Sequence, residues 1–385
     1  MKTRSFLFLT ILMVLFGAYP VFDSSVANAA QTNTLSGEIP IGAVWSLTGD
    51  AAVYGPSQKN ASELAAEQIN KSGMLGAAKI KLITEDDRST KEGAITAFDK
   101  LIKEYKVVAI LGPTLSNSAK AADPIAQAAK VPVLAVSNTA GGIVEMGDFI
   151  FRDSLPEMLV QPNTIKQTKN KFGYKKVAIL YGNDDVFTKG GYDAFKKALD
   201  DQGIKILATE TFNKKDSDFS AQLTKIKGLK PDAIIVSALA EEAASIMSQA
   251  RQLGIPASVP IIGGNGFNSP KLAQLAGPAA EGAITGAAWL ITNDTPGNKA
   301  FVEAYHKKYG VNPDQFAAQA YAGVYILADA IKTAGSSNPV AIRDAMAKIK
   351  NLDTVLGKFS FDSRREPVHA PVVQIIKNGQ FVLFK

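Results

Sequence analysis

Hydroxyl and amide side chains gather in two turns of this 385-residue chain. The first turn, Gly112–Ser118, follows an apolar run at Val107–Leu111 that predicts a buried strand, and the second, Ser137–Gly142, follows a similar run at Val131–Val136. At neighbouring strand ends of one open sheet, such hydroxyls and the free N–H groups of a helix that begins there can bind a small anion such as a carboxylate. The alternative is a pair of ordinary turns capped by serine and asparagine.

Three further predicted strand ends carry residues that could line the same cleft. Tyr54 follows the first strand, Asp184, Asp185 and Phe187 follow the first strand of the second half, and Asn265 follows a later one. In open α/β sheets a ligand lies beyond the carboxyl ends of the strands. We therefore expect Tyr54 and Phe187 to supply apolar walls, with packing inside their own loops as the alternative.

Patterns typical of catalysis are few. Of the two histidines, His306 is interpreted as a surface residue of an amphipathic helix and His369 as structural. The chain has no Gly-x-Ser-x-Gly elbow, no phosphate loop and no His-Glu-x-x-His helix. The acidic pairs Asp86-Asp87 and Asp184-Asp185 follow strands and could serve a two-carboxylate hydrolase, although such acids more often cap helices or line a polar cleft. We predict a protein that is not an enzyme and has no cofactor and no metal, with a hydrolase as the alternative.

Residues 1–29 have the features of a secretory signal peptide. Lys2 and Arg4 precede the apolar stretch Phe6–Ala18, and Ala27-Asn28-Ala29 is a small-x-small cleavage site. A membrane anchor is the alternative, for which the apolar stretch is short. The chain contains no cysteine, which excludes disulfides, thiol catalysis and a cysteine-linked lipid anchor. We expect a soluble protein exported to a bacterial periplasm.

Charge and length restrict the partners and the architecture. Without residues 1–29 the chain has 40 Lys and Arg against 35 Asp and Glu, and the lysines are scattered rather than interleaved with aromatics. This pattern is typical of a solvated surface and not of a nucleic-acid interface. The remaining length of about 355 residues exceeds one comfortable core, so two domains are expected.

Strand-like and helix-like segments alternate along both halves of the chain. The predicted helices include Ser57–Ser72, whose apolar face begins at Ala61, one from about Gln161, and Gly190–Gln202. This alternation predicts α/β architecture with parallel sheets covered by helices on both faces. The end differs, because Asn378-Gly379 between two short apolar runs predicts an antiparallel hairpin with a type I′ turn at a sheet edge.

Five segments, in this order and spacing, carry a resemblance to a known family: Ile41–Gly55, Gly112–Ser118, Val131–Ile143, Asp184–Gly190 and Gln249–Gly254. The chain resembles the substrate-binding proteins of branched-chain amino acid ABC transporters, the leucine/isoleucine/valine-binding group within type I periplasmic binding proteins. The resemblance covers essentially the whole chain after the predicted signal peptide.

The resemblance implies two doubly wound parallel-sheet lobes that close on a ligand. The implied first lobe comprises residues 38–153 and 288–360, and the second comprises 154–287 and 361–385. Three hinge crossovers would fall near Arg152–Ser154, Thr285–Ala288 and Ser360–Asp362. The implied function is that of a monomeric receptor that delivers a small carboxylate-bearing solute to the permease subunits of an ABC importer. A sensory receptor with the same fold is the alternative.

The resemblance also assigns site residues. Ser116 matches the serine that binds the ligand carboxylate, and Thr139 is chosen for the hydroxyl of the next turn, with Ser137 and Asn138 beside it. Aromatic side chains would enclose the rest of the ligand: Tyr54, Phe187 and Phe316.

One position departs from the family. Amino acid binders of this family place an acid after the Val259-type strand to pair with the ligand ammonium, and that position is Asn265 here. Leaving one partner of a buried ion pair without the other costs about 3–5 kcal/mol. Either Asp184 or Asp185 therefore supplies the missing charge, or the ligand is an aromatic or aliphatic acid without an α-ammonium.

Overall fold

Two large β-sheets with helices on both faces and a third, two-stranded antiparallel sheet make up this computed structural model, which describes residues 35–385. The predicted signal peptide lies outside the described residues. The strands are β1 (Ser36–Trp45), β2 (Ala77–Asp86), β3 (Ala109–Leu111), β4 (Val133–Ala135), β5 (Ile150–Arg152), β6 (Lys176–Gly182), β7 (Lys205–Phe212), β8 (Ala233–Ser237), β9 (Ile261–Gly263), β10 (Ile284–Ala287), β11 (Leu352–Thr354), β12 (Gly357–Phe359), β13 (Val372–Lys377) and β14 (Gln380–Leu383). The α-helices are α1 (Gly55–Ser72), α2 (Lys91–Lys103), α3 (Ser116–Ala129), α4 (Glu157–Phe172), α5 (Val186–Asp201), α6 (Ser220–Leu229), α7 (Ala240–Gln252), α8 (Pro270–Ala276), α9 (Asn298–Tyr309), α10 (Gln315–Ala334) and α11 (Pro339–Met346).

Both sheets have the strand order expected of doubly wound folds. The first sheet runs β2-β1-β3-β4-β5 with every pair parallel. The second runs β14-β13-β10-β9-β8-β6-β7, in which only β13 and β14 are antiparallel to their neighbours. The predicted α/β class is confirmed. The predicted hairpin is also confirmed, because Asn378 and Gly379 have φ of 52° and 71°, as a type I′ turn requires.

The chain passes between the two sheets three times. It leaves the first sheet after β5, leaves the second after β10, and returns to the second between β12 and β13. We call the parts built on the two sheets the first lobe and the second lobe. Residues 34–385 form one compact unit, and the lobe boundaries given by the sequence stay a prediction.

Each sheet reverses its winding at one point, and both points matter for the site. In the first sheet the reversal lies between β1 and β3, and in the second it lies between β6 and β8. The loops that leave these strands diverge to opposite faces of the sheet, which opens a crevice at its carboxyl edge. The crevices of the two lobes therefore contain the loops that begin at Ser46, Gly112, Asn183 and Ala238.

Two helices begin earlier than the sequence suggested. The helix expected from about Gln161 begins at Glu157, because Pro162 is accommodated inside α4 and does not mark its start. The helix expected from Gly190 begins at Val186, since the Asp185 carboxylate accepts hydrogen bonds from the N–H groups of Phe187 and Thr188 and so caps α5. Among residues 35–385, no helix has both the length and the apolar character needed to cross a bilayer.

Candidate ligand-binding site

A cavity lies between the two lobes, where the crevices of the two sheets face each other. Its walls come from Tyr54, Thr114, Leu115, Ser116, Ser137 and Phe316 on the first lobe and from Phe187, Leu239, Asn265 and Gly266 on the second. The space enclosed between them measures only about 20 Å³, about the room that one water molecule needs, so the lobes must move apart to admit a ligand. The lining combines polar and apolar groups, which suits a small molecule that has both.

Among the first-lobe hydroxyls that line the cavity, that of Ser116 makes the fewest hydrogen bonds within the protein. It is the first residue of α3, whose N-cap residue, Leu115, makes no side-chain capping bond, so the first N–H groups of the helix remain for another acceptor. The Ser116 side chain is buried, and its Oγ lies 3.5 Å from the N–H of Ala140. Its own proton is free to be donated to a ligand oxygen.

Ser137 is held in a network that Gln58 organises. Gln58 Nε2 donates to Ser137 Oγ at 3.0 Å, and Ser137 Oγ donates to the Thr114 carbonyl at 2.7 Å. Thr114 Oγ1 donates to Gln58 Oε1 at 2.7 Å and accepts from the Ser46 N–H at 3.0 Å. The two polar turns are therefore fixed relative to each other before any ligand is considered.

Sequence reasoning missed Gln58, although a signal existed. The residue is fully buried on α1 and lies three positions before Ala61, the start of the apolar face that the sequence showed. A glutamine in register with a buried helix face needs partners for its amide, and polar turns at a nearby strand end can provide them.

Asn138 and Thr139 lie behind the lining rather than in it. Asn138 Nδ2 donates to the carbonyls of Pro113 and Thr114 at 2.9 and 3.1 Å, which joins the two turns. Thr139 Oγ1 donates to Glu157 Oε1 at 3.1 Å. Thr139 is buried and is one bond away from a carboxylate that sequence reasoning did not single out.

Arg152 supports the same turn from the hinge side. Its guanidinium donates to the carbonyls of Asn138 and Ala140 at 3.2 and 2.8 Å, and it forms a bidentate ion pair with Glu366 on the third passage between the lobes. The arginine is almost completely buried. The turn that contains Thr139 is thus held by residues at two of the three passages between the lobes.

Tyr54 connects the two lobes across the cavity. Its hydroxyl donates to the Gly266 carbonyl at 2.9 Å and accepts from the Ala240 N–H at 2.8 Å. Burial raises the pKa of the Tyr54 hydroxyl, which keeps it protonated and able to donate. The ring packs on Phe316 with centroids 4.6 Å apart, so the tyrosine also forms part of the apolar wall.

The direction of the Asn265 amide is fixed by its neighbours. Gln315 Oε1 accepts from the backbone N–H of Ala288 at 2.6 Å, so the Gln315 amide group that faces Asn265 is the donor. It donates to Asn265 Oδ1 at 2.7 Å. Asn265 therefore uses its oxygen inside the protein and has N–H groups left for other partners.

Asp184 and Asp185, the two acids predicted to pair with a ligand ammonium, lie outside the cavity lining. Asp184 is exposed, and its Oδ1 accepts from the Lys214 N–H at 2.9 Å. Asp185 is the α5 cap, and its Oδ2 accepts from Asn117 Nδ2 of the first lobe at 2.6 Å. Burial raises the pKa of Asp185. Neither carboxylate lines the cavity, and Asp185 instead contributes a contact between the lobes.

Six of the predicted ligand-binding residues thus meet around one cavity: Tyr54, Ser116, Ser137, Phe187, Asn265 and Phe316. Their contact with a ligand stays a prediction. Leu239 was missed, although it follows β8 at the winding reversal of the second sheet, opposite Phe187. Within residues 35–385 no cluster of three or more His, Asp or Glu side chains is arranged to hold a metal ion.

Comparison with known proteins identifies the family to which the chain belongs. It belongs to the periplasmic binding protein family, which it matches over residues 38–380. It is similar to the branched-chain amino acid transporter substrate-binding protein LivJ of Streptococcus pneumoniae, crystallised with isoleucine, with a TM-score of 0.84 and 32% identity over 89% of this chain and 97% of that one.

Two other relatives have similar coverage. The leucine-binding protein LivK of Thermotoga maritima superposes with a TM-score of 0.85 at 28% identity, over 90% of this chain and 98% of that one. A leucine-, isoleucine-, valine-, threonine- and alanine-binding protein of Pseudomonas aeruginosa is 26% identical over 94% of this chain and 93% of its own length. The family and fold implied by the sequence motifs are therefore confirmed.

Proposed function

We propose that this chain is the solute-binding protein of an ABC importer and that it binds a small aliphatic amino acid between its lobes. The observation that carries the proposal is a lining that combines hydroxyls, at Ser116 where α3 begins and at Ser137, with apolar side chains, at Leu115, Phe187, Leu239 and Phe316. A ligand carboxylate accepts charge-assisted hydrogen bonds from the hydroxyls and the first N–H groups of α3, and an aliphatic side chain packs on the apolar residues. The relatives that bind leucine, isoleucine and valine support the ligand class.

The protein performs no chemistry in this proposal. Residues 1–29 direct export and are removed, and the rest acts as a monomer in the periplasm without a lipid anchor. Closure of the lobes encloses the solute and forms the surface that the permease recognises. Tyr54 supports this role, since its hydroxyl bonds link the first lobe to two backbone groups of the second.

One observation favours a second candidate ligand. Because the Asn265 oxygen is engaged by Gln315, the free groups of Asn265 are donors, and a donor does not attract an ammonium. A carboxylate without an α-ammonium, such as an aliphatic or aromatic acid, is therefore the competing ligand. A sensory receptor with the same fold would bind its ligand in the same way.

A thermal-shift panel tests the ligand class. Aliphatic and polar amino acids, benzoates and short fatty acids are each added to the purified protein. A ligand at 100 times its Kd stabilises the folded state by about 2.7 kcal/mol and raises the melting temperature. We expect the aliphatic amino acids to give the largest rise, and a panel in which only the fatty acids or benzoates raise it would contradict the amino acid assignment.

Ser116→Ala then tests the carboxylate end by calorimetry. Removing one charge-assisted hydrogen bond should weaken binding by about tenfold or more. Ser337→Ala, at an exposed serine in the loop before α11, is the matched control and should leave the affinity unchanged. Unchanged affinity in Ser116→Ala would remove Ser116 from the site.

A further inference from the structure

None of the described residues that line the cavity has a charged side chain, whereas the proposed ligand carries an ammonium group. An ammonium that leaves water needs acceptors and a nearby negative charge, or binding loses several kcal/mol to desolvation. Asn265 cannot meet this need, because its oxygen already accepts from Gln315 and Asn268. The counter-charge must therefore come from behind the lining.

Glu157 is a buried carboxylate directly behind the lining. Its Oε1 accepts from Thr139 Oγ1 on the first lobe and from the backbone N–H of Asn265 on the second, each at 3.1 Å. Its Oε2 accepts from Gln161 Nε2. The carboxylate thus lies where the two lobes meet, next to the lining residue that matches the family's acid.

Among residues 35–385 no Lys, Arg or His side chain forms an ion pair with this carboxylate. Arg152 is the positive group whose charge acts on Glu157, but its guanidinium is paired with Glu366. Burial raises the pKa of the Glu157 carboxyl, and hydrogen bonds from Gln161, Asn265 and Thr139 offset only part of this effect. An ammonium close by would stabilise the ionised form.

The Glu157 carboxylate also determines which way the Thr139 hydroxyl points. An ionised carboxylate can only accept hydrogen bonds, so the Thr139 hydroxyl donates its proton to Glu157. The Thr139 oxygen can then accept a hydrogen bond from another donor. An ammonium has three donors and no acceptor, so it can use that lone pair. Thr139 and Glu157 together present an acceptor with a negative charge behind it.

We propose that Glu157 supplies the counter-charge for the ligand ammonium and that it thereby selects amino acids over carboxylates of the same shape. A bound ligand widens the lined space from Ser137 to Thr139, two positions along the same turn, so that its ammonium meets the Thr139 hydroxyl. This inference rests on the proposed function and replaces Asp184 and Asp185, the two acids that sequence reasoning offered. The exposed Asp184 is bonded to the Lys214 backbone, and Asp185 is used as the α5 cap.

The selectivity between L-leucine and 4-methylpentanoate tests the proposal, because the second ligand has the same carbon skeleton without the ammonium. Both are titrated calorimetrically into the wild-type protein and into Glu157→Gln, which keeps the shape and removes the charge. We expect the variant to bind leucine about 30-fold more weakly or worse and to bind 4-methylpentanoate within about threefold of wild type.

Glu92→Gln is the matched control. Glu92 is the acidic residue in the first turn of α2, as Glu157 is in α4, but it is exposed. It should leave both affinities unchanged. Thr139→Val is a second variant in case Glu157→Gln does not fold, and it should lower the leucine preference as well, since it removes the hydroxyl and keeps the side-chain shape.

The outcomes separate the two proposals. If wild type binds leucine but Glu157→Gln weakens both ligands equally, or weakens neither, the counter-charge role is wrong and the proposed function stands. A preference that survives in Thr139→Val overturns the role of the hydroxyl. If wild type binds no amino acid, the proposed function itself fails.

Discussion

The two sides of the cavity are built in different ways. On the first lobe the polar turns are held from within, by Gln58 between Thr114 and Ser137 and by Arg152 behind Asn138. On the second lobe the lining is apolar at Phe187 and Leu239, and its one polar side chain, Asn265, is oriented by Gln315 of α10. The Thr114 and Ser137 hydroxyls are thus held by bonds within the first lobe, whereas Asn265 depends on a contact between the lobes.

We expect the two sides to have different roles in ligand binding. A carboxylate is common to all ligands of the proposed class, and a rigid set of donors on one lobe can bind it without rearrangement. Discrimination between ligands then falls to the groups that meet on closure, which are Glu157, Asn265 and the apolar wall. Disruption of the first side should weaken all ligands alike, while changes on the second side should alter selectivity or closure.

Arg152→Met should have the largest effect, because it removes the guanidinium that bonds to the Asn138 and Ala140 carbonyls from the hinge. The substitution leaves Glu366 buried without its partner, which costs about 3–5 kcal/mol of unfolding free energy. Urea denaturation measures this loss. The double variant Arg152→Met, Glu366→Leu should recover part of it, since the uncompensated charge is gone. Equal instability of the single and double variants would contradict the role of the ion pair.

Gln58→Leu should have an intermediate effect that is independent of ligand type. The substitution leaves the Thr114 and Ser137 hydroxyls without their buried partner, at a cost of about 1–3 kcal/mol in unfolding free energy. Affinities for leucine and 4-methylpentanoate should fall by similar factors in calorimetry. Gln252→Leu, at an exposed position of α7, is the control. A changed ratio of the two affinities would show that the first side also discriminates.

Tyr54→Phe should have the smallest effect and should act on closure. The ring and its packing on Phe316 remain, but the hydroxyl bonds to the Gly266 carbonyl and the Ala240 N–H are lost. A loss of about 1.4 kcal/mol corresponds to tenfold weaker binding. Stopped-flow measurement should show the loss mainly as faster ligand release. An unchanged release rate would mean that these bonds do not hold the lobes together on the ligand.

The first-lobe side was predictable from sequence because its signals are local. Each polar turn directly follows a short apolar strand, and Ser116 and Ser137 could be placed at neighbouring strand ends without knowledge of the fold. Tyr54 and Phe187 were found in the same way, as residues that follow strands. The strand order that puts β1 and β3 side by side was not predicted, because the alternation of strands and helices indicates parallel pairing but not which strands are neighbours.

The residues that sequence reasoning missed act through tertiary contacts. Glu157 precedes the helix that the sequence predicted from about Gln161, whereas α4 begins at Glu157 itself. Its carboxylate contacts Thr139, 18 residues before it, and Asn265, 108 residues after it, and only the folded chain brings these three together. Gln315 and Arg152 also act through tertiary contacts, since nothing in their local sequence indicates which turn they orient.

A crystal structure of the protein with bound L-leucine tests the central claim most directly. We expect the ligand between the lobes, with its carboxylate within hydrogen-bond distance of Ser116 Oγ and its ammonium within hydrogen-bond distance of Thr139 Oγ1. A leucine bound outside the cavity, or one whose carboxylate faces Phe187 and Leu239, would contradict the account.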